Sequence, residues 1–225
     1  MEGRTLDEPH QIYVQYGCGQ SCPAGWLNFD VSPTLRLQRL PVIGKLLRRG
    51  RIIFPDDVRF GNIVKGLPIA DGSVHGVYAS HVLEHLSRAD CHTALNNTFR
   101  LLKSGGIFRL IVPDLEIRAQ KYLEKVRAGD AEASSWFMRN SNLGTEFREH
   151  GLVAMARRLF GNSAHLWMWD RISIRKALEN AGFTEIRQCK FNDSKDQAFR
   201  LVEDRGRFHD QFVDVEECAM EAIKP

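Results

Sequence analysis

Short apolar runs alternate with amphipathic stretches along the chain, and this alternation predicts a sequence of strands and helices. The apolar runs are brief and rich in β-formers, as is typical of parallel strands covered on both faces. They predict strands at residues 12–16, 26–29, 58–60, 74–80, 107–112, 185–191 and 211–223. Positions with helical spacing predict helices at 88–103, about 115–128 and 171–181. A strand, a helix, a turn at Ser104-Gly105-Gly106 and a second strand form a βαβ unit, so the fold class is α/β.

The connection between the first two strands carries the first sign of a ligand site. Gly17-Cys18-Gly19 follows the first strand, and Asp30 ends the second. Glycine lets the backbone turn sharply and approach a ligand, and ligands of open α/β sheets lie beyond the carboxyl ends of the strands. An acid there can accept hydrogen bonds from both hydroxyls of a ribose. The pattern predicts a nucleotide-sized site, although a simple glycine turn explains a lone G-x-G equally well.

The same connection departs from the usual doubly wound pattern. Residues 17–25 include Pro23 and leave no room for a crossover helix, whereas a parallel pair normally needs about a dozen residues or more. The helix between these strands is therefore expected to be missing or reduced to a turn. The remaining sequence has no composition break, which predicts one domain over residues 1–225 with a helical insertion or lid at about 129–170.

Composition narrows the possible settings and partners. Hydrophobic residues make up 43% of the 225 residues and charged residues 26%, which is typical of a globular domain long enough to bury a core. A net charge of +3 is too small to indicate a nucleic-acid partner. The five scattered cysteines and the absence of an apolar N-terminal signal predict a reducing, cytoplasmic location. No apolar run reaches the length of about 18 residues that a membrane span needs.

Residues 33–51 combine leucines at helical spacing with a cluster of basic side chains, interrupted by Pro41 and Gly44. Such a segment can lie on an anionic membrane surface. A solvated basic face on helical pieces that cover the edge of the sheet explains the pattern better.

Several motifs in order give a specific resemblance. GLPIADGSVHGVYASHVLEHL, beginning at Gly66, and FRLLKSGGIFRLIVPDLE, beginning at Phe99, resemble the class I S-adenosylmethionine-dependent methyltransferases, in particular the type 11 group. Within that group the chain is similar to compact members with a GCG loop and a G-W-x-N-x-D second strand, which here covers residues 25–30. HLWMWDRIS at 165–173 and MEAIKP at 220–225 extend the resemblance over nearly the whole chain. It implies a Rossmann-like, doubly wound, mostly parallel sheet of about seven strands whose last strand is antiparallel.

The resemblance also implies S-adenosylmethionine as the cofactor and a set of residues that bind it. The glycine loop would lie against the methionine part, Asp30 would bind the ribose, Asn62 would lie near the adenine, and Ser80 with His81 would face the sulfonium and the carboxylate. The implied cofactor site is Gly17, Cys18, Gly19, Asp30, Asn62, Ser80 and His81. Two positions depart from the family pattern, since His75 replaces a usual aspartate and Asn62 is an amide.

His81-Val82-Leu83-Glu84-His85 also matches the H-x-x-E-H pattern of zinc hydrolases, in which both histidines bind the metal and the glutamate is a base. Zinc would need a third protein ligand, and the stretch directly follows a predicted strand inside a βαβ unit. The sequence therefore predicts no metal site, and Glu84 and His85 are expected to cap and pair locally at the start of the helix.

Two groups are candidates for the acceptor side. Asp114 and Glu116 follow the fifth strand, where they can either orient an acceptor hydroxyl or cap the next helix. The cluster of His165, Trp167 and Trp169 offers a general base and flat ring faces, or it packs the insertion on the sheet. His165 and Asp114 are the predicted catalytic residues.

The chain lacks an N-P-P-Y-type tetrapeptide after the fourth strand, which disfavours nucleic-acid and protein-amide acceptors. Relatives of the compact group resemble accessories of surface-polysaccharide synthesis. By this resemblance the expected reaction is O-methylation of a sugar, a lipid-linked sugar or another small molecule. A domain that binds S-adenosylmethionine without catalysis is the alternative.

Overall fold

The computed structural model describes residues 11–40, 54–146, 164–211 and 213–225. The described strands are β1 (Ile12–Tyr16), β2 (Trp26–Asp30), β3 (Arg59–Phe60), β4 (Val74–Ser80), β5 (Leu102–Val112), β6 (Thr184–Gln188), β7 (His209–Asp210), β8 (Val215–Glu216) and β9 (Cys218–Ile223). The described helices are α1 (Pro33–Gln38), α2 (Arg88–Leu101), α3 (Leu115–Arg127), α4 (Ala133–Asn140), α5 (Arg171–Asn180) and α6 (Arg205–Phe208). Single 3-10 turns form at Leu83–His85 and Gln197–Leu201.

Seven strands form one mixed sheet of order β3-β2-β1-β4-β5-β9-β6. The first five strands pair in parallel, and β9 runs antiparallel to both β5 and β6. This confirms the predicted Rossmann-like sheet with an antiparallel last strand. The strand order reverses between β1 and β4, and the carboxyl ends of such strands border the crevice in which open α/β sheets bind ligands.

Alternate residues of the strands supply two cores. Val14 and Val77 face one core, where Leu95 of α2 and Leu178 of α5 cover the sheet. Tyr13 and Tyr78 belong to the other core, which is closed by Phe199 from the 3-10 turn after β6. This second cover was not predicted, because the charged loop at residues 192–210 has no continuous helical pattern.

Polar side chains define where the helices begin. The Ser87 hydroxyl accepts a hydrogen bond from the Asp90 amide at 3.1 Å and begins α2. Asp170 and Ser173 form a reciprocal capping box at the start of α5. Gly182 ends that helix with φ of +99°, a conformation that glycine adopts without strain.

Several predicted boundaries are wrong. Helix α2 ends at Leu101 and β5 begins at Leu102, so Gly105 and Gly106 lie in the strand and not in a separate turn. Pairing with the residues after β9 keeps the two glycines extended. The Gly105 amide donates to the Lys224 carbonyl at 2.8 Å, and the Lys224 amide donates to the Gly106 carbonyl at 3.0 Å.

The last two predicted strands are also shorter. β6 is Thr184–Gln188, since Asp193 accepts from the Lys190 amide at 2.8 Å and turns the chain away from the sheet. The stretch predicted as one strand at 211–223 contains β8 and β9, and β8 pairs with β7 in a separate small sheet. Pairing depends on distant partners, which local pattern does not reveal.

Parts of two predicted segments lie outside the described residues. α1 accounts for the beginning of the basic segment, and residues 41–51 of it are not described. The predicted insertion contains α4, and residues 147–163 of it are not described. None of the described helices is long and apolar enough to span a bilayer.

Candidate active site

A cavity of about 660 Å³ opens at the carboxyl ends of β1, β2 and β4. It lies where the reversal of strand order predicts a ligand site. Four of the seven predicted cofactor residues line it, namely Gly17, Asp30, Asn62 and His81. Val82, His85 and Leu166 are among the other lining residues.

Gly17 forms the floor of the cavity and cannot carry a side chain. Its φ is +64°, and a Cβ atom added there would lie 2.3 Å from Cγ2 of Val82. The turn after β1 therefore needs glycine for its backbone conformation and for the close approach of the next segment. Val82 was not predicted as a site residue, because its contact with Gly17 joins segments 65 positions apart.

Asp30 lies at the end of β2 with its carboxylate held by backbone amides. Gly19 donates to Oδ2 at 2.9 Å and Ser32 donates to Oδ1 at 2.7 Å. A carboxylate offers about four acceptor positions, so each oxygen retains capacity for a further donor. The short connection after β1 thus aims an oriented carboxylate at the cavity.

Asn62 lies in a tight turn after β3. Its Oδ1 accepts from the Val64 amide at 2.8 Å, and its backbone forms an isolated bridge with Gly66. The side chain therefore shapes the turn that forms the cavity wall. Gly61 permits this path, because a Cβ atom there would lie 2.6 Å from the ring of Phe29.

His81 follows β4 in a left-handed backbone conformation with φ of +54°, which is uncommon for a residue other than glycine. Its Nδ1 lies 3.5 Å from a Glu84 carboxylate oxygen, and its Nε2 lies 3.1 Å from the Arg207 carbonyl oxygen. Burial opposes the charge on His81, but the nearby Glu84 carboxylate outweighs burial, and the pKa of His81 is raised.

The other predicted cofactor residues do not line the cavity. The Cys18 side chain is buried with Leu35, Phe54 and Val58, and burial raises the pKa of its thiol to about 12. The Gly19 amide donates a hydrogen bond to the Asp30 carboxylate. Ser80 ends β4, and its hydroxyl has no hydrogen-bond partner among the described residues.

Asp114 is fully buried and its carboxylate is engaged on both sides. Oδ1 accepts from the amides of Glu116 and Ile117 at the start of α3, and Oδ2 accepts from Nε of Arg171 at 3.1 Å. Of the two roles left open by the sequence, this geometry is that of a helix cap. Asp114 does not line the cavity.

The segment at residues 164–170 packs beside the cavity through backbone hydrogen bonds. The amides of Leu166 and Trp167 donate to the Glu84 carbonyl at 2.8 and 3.2 Å, and Leu115 donates to the Trp169 carbonyl at 2.9 Å. Trp169 is buried in the main core, whereas Trp167 is 41% exposed. Of the predicted aromatic cluster, Trp169 therefore packs in the core and Trp167 is exposed.

His165, which belongs to this segment, is buried and does not line the cavity. Its ring packs against that of His85, which does line it, with centroids 5.0 Å apart. Burial lowers the pKa of His165, although the nearby Glu84 opposes the shift.

Glu84 lies with His85 and His165 in one cluster, whereas the sequence predicted only local capping and pairing at the start of the helix. The residue is fully buried, and the 3-10 turn at Leu83–His85 has no side-chain cap. Glu84, His85 and His165 each offer a ligand atom, and these atoms lie within 4.8 Å of one another. Only His85 and Glu84 are neighbours in sequence, so the approach of His165 had no local signal.

The sheet order, the glycine turn after β1 and the oriented carboxylate at the end of β2 agree with the class I S-adenosylmethionine-dependent methyltransferases that the sequence motifs resemble. The family model described as a methyltransferase domain, of type 11, matches residues 14–110. The match covers less than half of the chain and includes the GCG loop and the second-strand motif on which the resemblance rests. S-adenosylmethionine is the cofactor that this match supports. A comparison with curated proteins finds no match.

Solved structures with a similar fold are distant in sequence. A methyltransferase of Thermotoga maritima is 16% identical, with 97% of this chain and 84% of that chain covered and a TM-score of 0.48. A methyltransferase of Archaeoglobus fulgidus is 13% identical, with 95% and 86% covered and a TM-score of 0.49. Phosphoethanolamine N-methyltransferase 2 of Haemonchus contortus is 11% identical, with 96% and 49% covered and a TM-score of 0.48.

Proposed function

We propose that this methyltransferase methylates a hydroxyl group of a small molecule, and that a sugar or lipid-linked sugar is the acceptor. The residues that line the cavity support the part of this proposal that concerns the cofactor. Gly17 and Asp30 line the same 660 Å³ cavity, and two backbone amides orient the Asp30 carboxylate there. These features suit the methionine part and the ribose of S-adenosylmethionine.

S-adenosylmethionine supplies a methyl group activated by a positively charged sulfur. Asp30 accepts charge-assisted hydrogen bonds from the ribose hydroxyls. Gly17 lets the backbone lie close to the ligand, Gly19 orients the Asp30 carboxylate through its amide, and Asn62 and His81 line the cavity. Cys18 and Ser80 contribute indirectly. The Cys18 side chain packs the glycine loop against buried apolar residues, and Ser80 is the last residue of β4, directly before His81. Because the sulfur leaves as a neutral thioether, no acid is needed, and positioning is the main contribution of the protein.

The acceptor side is proposed to lie where His85 and Leu166 border the cavity. The exposed Trp167 ring nearby offers a flat apolar face of the kind that packs on a sugar ring. His165 lies behind His85, so it acts on the acceptor through that neighbour and not by direct contact. Asp114 is not assigned a catalytic role, because its oxygens are engaged by α3 and Arg171.

The proposal places the reaction in a reducing, cytoplasmic compartment and in the synthesis of a surface polysaccharide. The five free cysteines support the compartment. The polysaccharide pathway has only the sequence resemblance in its support.

The test begins with calorimetric titration of S-adenosylmethionine and S-adenosylhomocysteine into the wild type, Asp30→Ala and Asp30→Asn. Asn at position 30 keeps the shape of the side chain but lacks the charge, and its single oxygen can replace only one of the two carboxylate oxygens that accept from Gly19 and Ser32. We expect binding by the wild type and a loss of more than about tenfold in both variants, because each ribose hydrogen bond to a charged group is worth about 1.5–3 kcal/mol.

An acceptor screen with sugars, sugar nucleotides and lipid-linked sugars follows, with methyl transfer read by mass spectrometry. Transfer to nitrogen or carbon in place of oxygen would contradict the proposed acceptor class. Cofactor binding without transfer to any acceptor would favour the binding-module alternative.

A further inference from the structure

We propose that Glu84, His85 and His165 form a binding site for one divalent transition-metal ion at the wall of the cavity. The sequence predicted no metal site, and its H-x-x-E-H pattern would have used His81 and His85 as ligands. The structure instead groups the glutamate with His85 and with a histidine 80 positions further along the chain.

The buried carboxylate of Glu84 is the first observation. The side chain is 1% exposed, and neither carboxylate oxygen has a hydrogen-bond partner among the described residues. The nearest imidazole nitrogens lie at 3.5 Å (His81 Nδ1) and 3.9 Å (His85 Nε2), which is beyond ordinary hydrogen-bond distance. An ionised carboxylate in such a position is costly unless a cation or strong donor accompanies it.

The orientation of His85 is the second observation. Its Nδ1 lies 3.2 Å from the Ala164 carbonyl oxygen, and a carbonyl can only accept, so Nδ1 carries the proton. In the neutral ring Nε2 then presents its lone pair, and Nε2 is the nitrogen that faces Glu84. A metal-ligating histidine commonly donates its other N–H to a backbone carbonyl in this way.

His165 supplies the third ligand from the segment at 164–170. Its buried Nδ1 has no hydrogen-bond partner among the described residues and is the ligand atom. Nε2 then carries the proton, so the Asn142 side-chain amide, whose nitrogen lies 3.2 Å from Nε2, must turn its oxygen toward Nε2 to accept it. The Leu166 and Trp167 amides both donate to the Glu84 carbonyl, so the backbones that carry the ligands are joined. The ligand set is thereby pre-organised between two segments distant in sequence.

Two imidazole nitrogens and one carboxylate oxygen are the ligands that catalytic zinc and related divalent ions take, with one position left open. Around a tetrahedral ion with bonds of about 2.1 Å, ligand atoms lie about 3.4 Å apart. The spacing of up to 4.8 Å is looser than this. Small side-chain rotations that draw the three ligand atoms together would complete the site.

The open position would face the cavity, because His85 lines it. Given the proposed O-methylation, an acceptor hydroxyl bound there would lose its proton to solvent more readily, as water does on such ions. The oxygen would then form its bond to the methyl carbon as the carbon–sulfur bond breaks and the electron pair stays on sulfur.

The test uses the full chain without an affinity tag, stripped with a chelator, and titrates Zn²⁺ and Co²⁺ in the absence of cofactor and acceptor. We expect one equivalent to bind, and the Co²⁺ spectrum to lack the charge-transfer band of a thiolate ligand, which excludes binding by Cys22. His165→Ala and the isosteric Glu84→Gln are each expected to weaken binding by more than about tenfold. His75→Asn is the matched control, since His75 lies at the opposite end of β4.

Circular dichroism and binding of S-adenosylhomocysteine show whether each variant is folded. Binding of less than one equivalent by the wild type, a thiolate band, or equal affinity in folded His165→Ala and wild type would each overturn the metal site. Because no cofactor is present in the titration, failure of the metal site is distinguishable from failure of the proposed function.

Discussion

Gly17 shows how a single residue shapes the wall of the cavity. Its left-handed backbone and its contact with Val82 impose two separate demands, one on conformation and one on space. Some other glycines with positive φ meet only the first demand. Gly129, for example, has φ of +75° and open space where its Cβ would be.

This difference gives a prediction for Gly17→Ala. We expect S-adenosylhomocysteine binding to fall more than about tenfold, since the added methyl group both strains the turn and displaces Val82 into the cavity. Gly129→Ala is the matched control and should lower stability by about 1 kcal/mol without changing cofactor affinity. Calorimetric titration measures the affinities. The double variant Gly17→Ala/Val82→Ala should recover part of the binding, and an unchanged affinity in Gly17→Ala itself would contradict the role of the glycine floor.

Asp114 gives a second prediction at this scale. Asp114→Ala removes the cap of α3 and the ion pair with Arg171, so we expect a loss of about 0.5–2 kcal/mol in the free energy of unfolding from the cap alone. The turnover number of methyl transfer should not change, because the carboxylate does not face the cavity. Denaturant titration and steady-state kinetics are the two measurements. Asp114→Asn keeps the cap and should be milder, whereas a large fall in turnover for both folded variants would restore a catalytic role.

The strand β5 is the element on which the second face of the sheet depends. Arg109, at its centre, is 1% exposed and donates to Glu221 of β9 at 2.6 Å, to Glu203 at 2.6 Å and to Asp193 at 3.1 Å. Its guanidinium also lies over the Phe199 ring at 5.7 Å. One buried cation thus holds the charged loop after β6 against the sheet.

Arg109→Ala should therefore destabilise the protein strongly. Removing one partner of a buried ion pair costs about 3–5 kcal/mol, because the remaining carboxylates lose their compensation. Arg187 contacts Glu221 and Asp193 from a position that is 39% exposed, and Arg187→Ala should cost no more than about 1 kcal/mol. Urea unfolding compares the two variants. Equal losses would show that burial does not set the contribution of Arg109.

At the scale of the whole molecule, the last strand along the chain lies inside the sheet and not at its edge. β9, close to the C-terminus, lies between β5 and β6. The sheet is therefore incomplete until the last residues pair, and the described residues share two cores on its faces. We propose on this basis that residues 1–225 fold as one domain, as the sequence predicted.

A single cooperative transition is the expected consequence. Far-ultraviolet circular dichroism and tryptophan fluorescence should give coincident unfolding curves. S-adenosylhomocysteine at 100 times its dissociation constant should add about 2.7 kcal/mol to the free energy of unfolding, since it binds only the folded state. Two resolved transitions, of which the ligand shifts only one, would contradict the single domain.

The sequence by itself determined the parts of this protein that depend on neighbours along the chain. The bounds of β1 and β4 were predicted exactly, and α5 to within one residue at its end, because apolar periodicity and caps act over a few positions. The glycine turn and Asp30 were predicted as a ligand site for the same reason, and both line the cavity. The family motifs lie in the same local stretches.

Only the tertiary structure decided which distant groups meet. Val82 against Gly17, His165 beside Glu84, and Arg109 with Glu203 and Glu221 join residues between 65 and 112 positions apart. Such contacts depend on strand order and on the paths of loops, and charged loop residues have no periodicity that reveals them. Asp114 illustrates the same point. The sequence left open whether its carboxylate orients an acceptor hydroxyl or caps a helix, and the folded structure shows it accepting from the first amides of α3.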